Sequence, residues 1–128
     1  MSYLLDTHAF FWRMREDPLL SQAAARVLDD EPGPFYLSSV TIYELTWKHQ
    51  IGKLDEVSGY IDDLLLVAER NRFVFLPLTA EHAFAAARLD TTHRDPFDRL
   101  LFAQALCKDL TFVSNEKVAD EAGVRRLW

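Results

Sequence analysis

Five carboxylates fall where carboxylates can do chemistry. Asp6 directly follows the short apolar run Tyr3-Leu4-Leu5, and Glu44 lies two turns into the segment after Phe35-Tyr36-Leu37. Asp95 and Asp98 bracket Pro96-Phe97 at the start of an apolar segment, and Glu116 stands three residues after Thr111-Phe112-Val113. Acids gathered in one dry pocket raise one another's pKa and cannot all ionise unless a cation offsets them. An all-oxygen set with no cysteine and no required histidine suits Mg²⁺ or Mn²⁺ and not structural zinc, and Mg²⁺ completes its shell with substrate phosphate. The chemistry that follows is phosphodiester hydrolysis by a metal-activated water.

Each acid alone also has a plainer explanation. Asp6 could cap a helix beginning at Thr7, and Asp95 before Pro96 is a good N-cap with Asp98 at the third helical position. Glu44 precedes Lys48 by four residues, the favourable orientation for a helix ion pair, although Tyr43, Leu45 and Trp47 around it suggest partial burial. Glu116 in a first helical turn suits the helix dipole. What resists these explanations is recurrence: the acids follow ends of successive strands. Thr7, Thr41 and Ser114 stand beside or one turn from them, as hydroxyls that could orient carboxylates or equally cap helices.

The elements that must position these groups alternate. Tyr3-Leu4-Leu5, Phe35-Tyr36-Leu37, Phe73 to Leu76 and Thr111-Phe112-Val113 read as strands, with Val124 to Leu127 a candidate fifth. Helices are predicted from Thr7 to Arg15, Gln22 to Asp30 behind Ser21, Ser38 or Ser39 to about Gln50, through the amphipathic stretch Val57 to Asn71, from Thr79 to about Leu89, from Phe97 to Lys108 and from Asn115 to Glu121. Strands alternating with helices imply an α/β domain in which a parallel sheet is covered on both faces. In such a sheet ligands bind beyond the carboxyl ends of the strands, where the acids fall.

At 128 residues the chain has the length of one domain, and 49% hydrophobic with 27% charged residues excludes a disordered chain. The N-terminal apolar run is too short for a signal-peptide core and no stretch approaches a membrane span, so a cytoplasmic protein with no membrane partner is expected. The lone Cys107 is expected to be a buried, inert thiol, and Phe11, Trp12 and Trp47 to be core. The net charge of -6 argues at first against a polyanionic partner. Setting Asp6, Glu44, Asp98 and Glu116 aside as pocket groups leaves the rest of the chain close to neutral.

Read together, Leu4-Leu5-Asp6-Thr7-His8, the segment from Ser38 through Glu44 to Lys48 and Gly52-Lys53-Leu54, the run His93-Arg94-Asp95-Pro96-Phe97-Asp98-Arg99-Leu100-Leu101-Phe102-Ala103-Gln104-Ala105 and the closing Phe112-Val113-Ser114 to Trp128 resemble the PIN-domain ribonucleases of the VapC toxin type. The resemblance covers the chain in order. It implies one PIN-like domain over residues 1–128, with a central parallel sheet of four to five strands wrapped by helices. It further implies a Mg²⁺- or Mn²⁺-dependent endoribonuclease, the toxin of a type II toxin-antitoxin system, acting as a homodimer and restrained by a VapB-type antitoxin. Carried over by position, Asp6, Glu44, Asp98 and Glu116 are the catalytic and metal-holding acids, with Thr7, Thr41, Asp95 and Ser114 behind them. Ser114 and Glu116 stand where the family more often has Thr and Asp, which puts the last carboxylate one methylene further out.

Arg94, Arg99, Lys48 and Lys53 are candidates for contacts to RNA phosphate. His8 and His93 could move protons or be structural. Two rival readings remain: a catalytically inactive PIN-fold module that binds RNA or protein, and a phosphotransfer domain built on Asp6. The second lacks both an Asp two residues after Asp6 and an adjacent acid pair.

Overall fold

The computed structural model describes residues 1–128. In chain order the elements are β1 (Tyr3–Leu5), α1 (Thr7–Arg15), α2 (Gln22–Asp30), β2 (Phe35–Ser38), α3 (Ser39–Gln50), two 3₁₀ turns (Asp55–Val57 and Ile61–Asp63), α4 (Leu64–Arg70), β3 (Phe73–Leu76), α5 (Ala80–Ala87), α6 (Pro96–Cys107), β4 (Thr111–Val113), a 3₁₀ segment (Lys117–Ala122) and β5 (Arg126–Leu127). All strands pair in parallel, in the order β3-β2-β1-β4-β5. The α/β class and the parallel sheet expected from the alternating pattern are what the chain forms.

Alternation along β1 sends its side chains to opposite faces, as a pleated strand must. Tyr3 and Leu5 join Phe10, Leu28, Leu37 and Phe73 in a core beneath α1, α2 and α4, whereas Leu4 joins Leu101, Phe102 and Phe112 in a second core beneath α6. Phe10, Phe102 and Phe112 are completely buried, each contributing about 2–3 kcal/mol by removal from water. Val40 of α3 reaches the second core and Leu45 the first, so this helix bridges both faces from the carboxyl end of β2.

A buried polar chain fixes where α3 starts. Ser38 Oγ accepts from Val40 N and donates to Gln104 Oε1 of α6 at 2.5 Å. Gln104 Nε2 lies 3.3 Å from His82 Nδ1, which also accepts from Thr79 N in the capping box of α5. Three helices are thereby referenced to one another inside the core, where an unpaired polar atom costs more than a hydrogen bond gains.

The structure departs from the sequence expectations in four places. Val57 to Asn71 is not one helix: only Leu64–Arg70 is α-helical, preceded by the two 3₁₀ turns, with Leu65 and Leu66 exposed. The Asn115 to Glu121 helix is instead the 3₁₀ segment Lys117–Ala122, closed by Gly123 in a left-handed conformation that only glycine adopts without strain. Cys107 is exposed, because α6 buries residues 101 to 105 and turns its last residue outward. Trp47 is 42% exposed, its ring tilted against Phe97 beside Tyr43.

Candidate active site

The sheet order places a crevice between β1 and β4. From β1 the chain runs through α1 and α2 to β2 on one side, while α5 and α6 return it to β4 on the other side. Connections leaving in opposite directions open the carboxyl ends of those two strands, the usual ligand position in parallel sheets. Leu5 pairs with Val113, so the next residues, Asp6 and Ser114, emerge side by side.

Asp6 has the backbone of an N-cap, but its side chain makes no cap hydrogen bond. Its Oδ2 instead accepts from Ser114 Oγ at 2.7 Å. The residue is 2% exposed. Burial pushes its pKa up to about 6, with the charge of Asp98 adding to the rise, while the Ser114 hydroxyl, His8 and the Thr7 backbone hold it down. Ser114 Oγ accepts in turn from Glu116 N at 3.0 Å and so sets the turn carrying the last acid.

Asp95 caps α6, its Oδ1 accepting from Phe97 N and Asp98 N, and Pro96 occupies the first helical position where no N–H is needed. The helix therefore begins with Asp98 facing the crevice. Asp98 Oδ2 lies 2.6 Å from His93 Nε2. Burial raises the Asp98 pKa, the His93 contact lowers it, and the charges of Asp95 and Glu116 raise it again. The charge of Asp98 thus reaches Asp6, and that of Glu116 reaches Asp98.

Glu44 stands on α3, which is tied to the residue after Asp6 through a threonine pair. Thr41, one turn earlier, shares a buried 2.9 Å hydrogen bond with Thr7, the residue after Asp6. Glu44 is 5% exposed, and its Oε2 accepts from Lys48 Nζ at 2.5 Å. Its Oε1 is buried with no hydrogen-bond partner in the protein. A buried carboxylate oxygen left without a donor is costly, and a hard cation is the partner that such an oxygen suits. The donor set, all oxygen with a second layer of hydroxyls, fits Mg²⁺ or Mn²⁺ on those grounds.

The acids are brought to one end of the sheet without closing into a finished ligand shell. No three of the acidic, histidine and cysteine side chains converge tightly enough to hold an ion as they stand. The three most enclosed acids each face a donor of their own: Asp6 faces Ser114, Glu44 faces Lys48 and Asp98 faces His93. Asp95 is exposed and acts as a cap.

Of the basic residues, Arg94 is exposed on the loop before α6, as a phosphate contact requires, and Lys48 is committed to Glu44. Arg99, expected as a phosphate contact, is turned into the fold: its guanidinium donates to the carbonyls of Ala86, Leu89 and His93. The partnership of His93 with Asp98 was not specified by the sequence reading. Its signal was a histidine two residues before a cap, placed so that its ring can fold back over the first helical turn.

The family described as PIN domain matches residues 3–124. Among curated proteins none matches the chain. Among solved structures, a chain of VapBC2 from Rickettsia felis, bound to a fragment of its promoter DNA, superposes with a TM-score of 0.73 at 18% identity, covering 99% of this chain and 98% of that one. A chain of FitAcB from Neisseria gonorrhoeae gives 0.73 at 21% identity, covering 98% and 96%. VapC20 of Mycobacterium tuberculosis, a toxin that cleaves the sarcin-ricin loop, gives 0.70 at 18% identity and 96% of each chain. These likenesses show a shared fold, and with the PIN match over residues 3–124 the chain belongs to the PIN-domain family.

Proposed function

We propose that the protein is a metal-dependent endoribonuclease, the toxin of a type II toxin-antitoxin pair, working as a homodimer in the cytoplasm and held in check by a VapB-type antitoxin. The observation that carries this reading is Asp6, a carboxylate buried at the β1/β4 crevice that declines the helix cap beside it, accepts from Ser114 and lies within reach of the charge of Asp98. The structural likeness to VapC20, described as a toxin that cleaves the sarcin-ricin loop, supports the substrate class.

Asp6, Glu44, Asp98 and Glu116 would hold Mg²⁺ or Mn²⁺, which supplies charge to the phosphate and acidity to water. Asp6, with a pKa near 6, is ionised at neutral pH and available as a ligand. Ser114 fixes the orientation of its carboxylate, and the Thr7–Thr41 pair ties α1 to α3 so that Glu44 keeps its distance from Asp6. Lys48 orients Glu44 by its Oε2 and leaves Oε1 for the site. Arg94, exposed at the rim, contacts the substrate backbone. Near-neutral charge outside the pocket makes RNA binding depend on the metal as well as cleavage.

Incubating the purified protein with total cellular RNA, with Mg²⁺ or Mn²⁺ or with chelator, and mapping new ends tests the reading. Discrete metal-dependent ends that Asp6→Asn abolishes are expected. Undiminished cleavage by that variant sinks the assignment, and RNA binding without any new ends identifies a non-cutting module.

A further inference from the structure

We infer that Arg99 is a positioning residue: through the backbone of the loop between α5 and α6 it fixes the His93 ring, and hence the Asp98 carboxylate, in the pocket. This rests on the proposed nuclease reading for its functional consequence but on geometry alone for its structural part. Arg99 Nε donates to Ala86 O at 3.2 Å, and Nη2 to Ala86 O and Leu89 O, both at 3.0 Å. Nη1 donates to His93 O at 2.9 Å. Ala86 is in the last turn of α5, where its carbonyl has only the Arg88 and Leu89 amides of the closing turn, and Leu89 lies just beyond the helix, so the guanidinium meets the electronegative end of α5. One guanidinium from the first turns of α6 therefore closes both the end of α5 and the loop that follows.

Residues 88–95 contain no regular structure, and apart from this fork the loop is held by few side-chain bonds, chiefly Thr92 to Glu121. His93 is the point where the fork meets the pocket. Its carbonyl is held by Arg99, its ring tilts on Phe102 at a centroid distance of 5.8 Å, and its Nε2 contacts Asp98. Asp98 and Arg99 are adjacent in sequence, so the helix that presents the acid also anchors the acid's partner. The planar fork spreads its donors over three nitrogens to reach these carbonyls, whereas the lysine ammonium carries its three donors on one nitrogen and does not match that spread.

The test compares the intact protein with Arg99→Lys and Arg99→Gln, using Ser21→Ala as a control that removes the α2 cap away from the pocket. Three quantities are measured: amide hydrogen exchange in residues 88–94, Mn²⁺ affinity by calorimetry without RNA, and kcat and KM for RNA cleavage. Faster exchange confined to the loop is expected in both Arg99 variants, with Mn²⁺ affinity and kcat each lowered about 10-fold or more and KM little changed, the scale typical of residues supporting metal ligands. Ser21→Ala is expected to lower Tm without moving Mn²⁺ affinity. Unchanged loop exchange, or Mn²⁺ affinity equal to that of the parent, overturns the inference. So does a raised KM with kcat intact, which makes Arg99 a phosphate contact. If Arg99→Lys does not fold, Arg99→Gln is read alone by the same criteria. Should the parent neither bind Mn²⁺ nor cut RNA, the nuclease reading fails by itself, and loop exchange still decides whether Arg99 positions His93.

Discussion

Asp6 Oδ2 and Ser114 Oγ, separated by 108 positions in sequence, meet at 2.7 Å because their strands, β1 and β4, are paired in register at the centre of the sheet. That contact joins the beginning of the chain to its end at the place where the remaining acids arrive. It also explains the unusual acid: Asp6 is too buried to ionise as readily as an exposed aspartate, and Ser114 is the foremost of the groups that keep the rise in check.

Asp6→Asn is expected to abolish RNA cleavage while stabilising the metal-free fold at neutral pH. The folded pKa, about 6, lies above the ordinary value of 3.8. Between those pH values the native state binds more protons than the unfolded state, so stability falls as pH rises through this window and the penalty is complete above it. At about 1.4 kcal/mol per pKa unit the penalty is at most about 3 kcal/mol, and the variant escapes it. Thermal melts of both proteins from pH 4 to pH 8, with chelator, should diverge with rising pH. Adding Mn²⁺ should raise Tm of the parent and not of the variant.

Ser114→Ala removes the donor that lowers the Asp6 pKa and the acceptor for Glu116 N. The Asp6 pKa then rises further, so Mn²⁺ must displace a proton over a wider pH range. Mn²⁺ affinity measured against pH should show its acid-side loss shifted upward, with a loss of roughly 10-fold near neutrality. An unchanged profile contradicts the role given to the hydroxyl.

Lys48→Met and Glu44→Gln should separate the two halves of their ion pair. Removing Lys48 leaves the 5%-exposed Glu44 with neither oxygen satisfied, which is expected to cost about 2–4 kcal/mol of stability in chelator. Glu44→Gln removes the buried charge and leaves a half-exposed lysine, so its stability change should be under about 1 kcal/mol while Mn²⁺ affinity falls at least 10-fold. Urea melts paired with calorimetry check both. Equal destabilisation by the two substitutions contradicts the account.

Gln104→Leu leaves Ser38 Oγ without its acceptor and removes a partner of His82. A loss of about 2–3 kcal/mol in urea-induced unfolding is expected, since buried polar atoms lose partners in a completely enclosed setting. Because Ser38 caps α3, the amides of its first turn should exchange faster, and those of α2 should not.

Much of the frame was legible from local pattern. Apolar triplets bounded by polar residues located the strands, and the Ser21, Ser38, Thr79 and Asp95-Pro96 signals located the helix starts, because capping and proline act within a few residues. The same locality failed between Val57 and Asn71. There Ile61, Leu64, Leu65 and Ala68 recur at helical spacing, yet the segment breaks into 3₁₀ turns and a short helix with Leu65 exposed. Periodicity reports that a face can be buried, and tertiary packing decides how much helix forms to bury it.

By itself the sequence indicated that candidate acids recur beside strands and at the opening of the helix before β4, that the strands lie parallel, and that the candidate donors are oxygen. It could not assign partners. Asp6 and Asp95 carry equivalent local signals for capping, and only the sheet order, by setting β4 beside β1, turned one towards Ser114 and left the other as a cap. Arg99 reads locally as a cation beside an acid, available to phosphate, until the end of α5 is folded against it and backbone carbonyls take up most of its donors. Local rules act through neighbouring backbone, whereas the charge state and availability of a side chain depend on burial and on groups distant in sequence, which exist only once the chain has closed on itself.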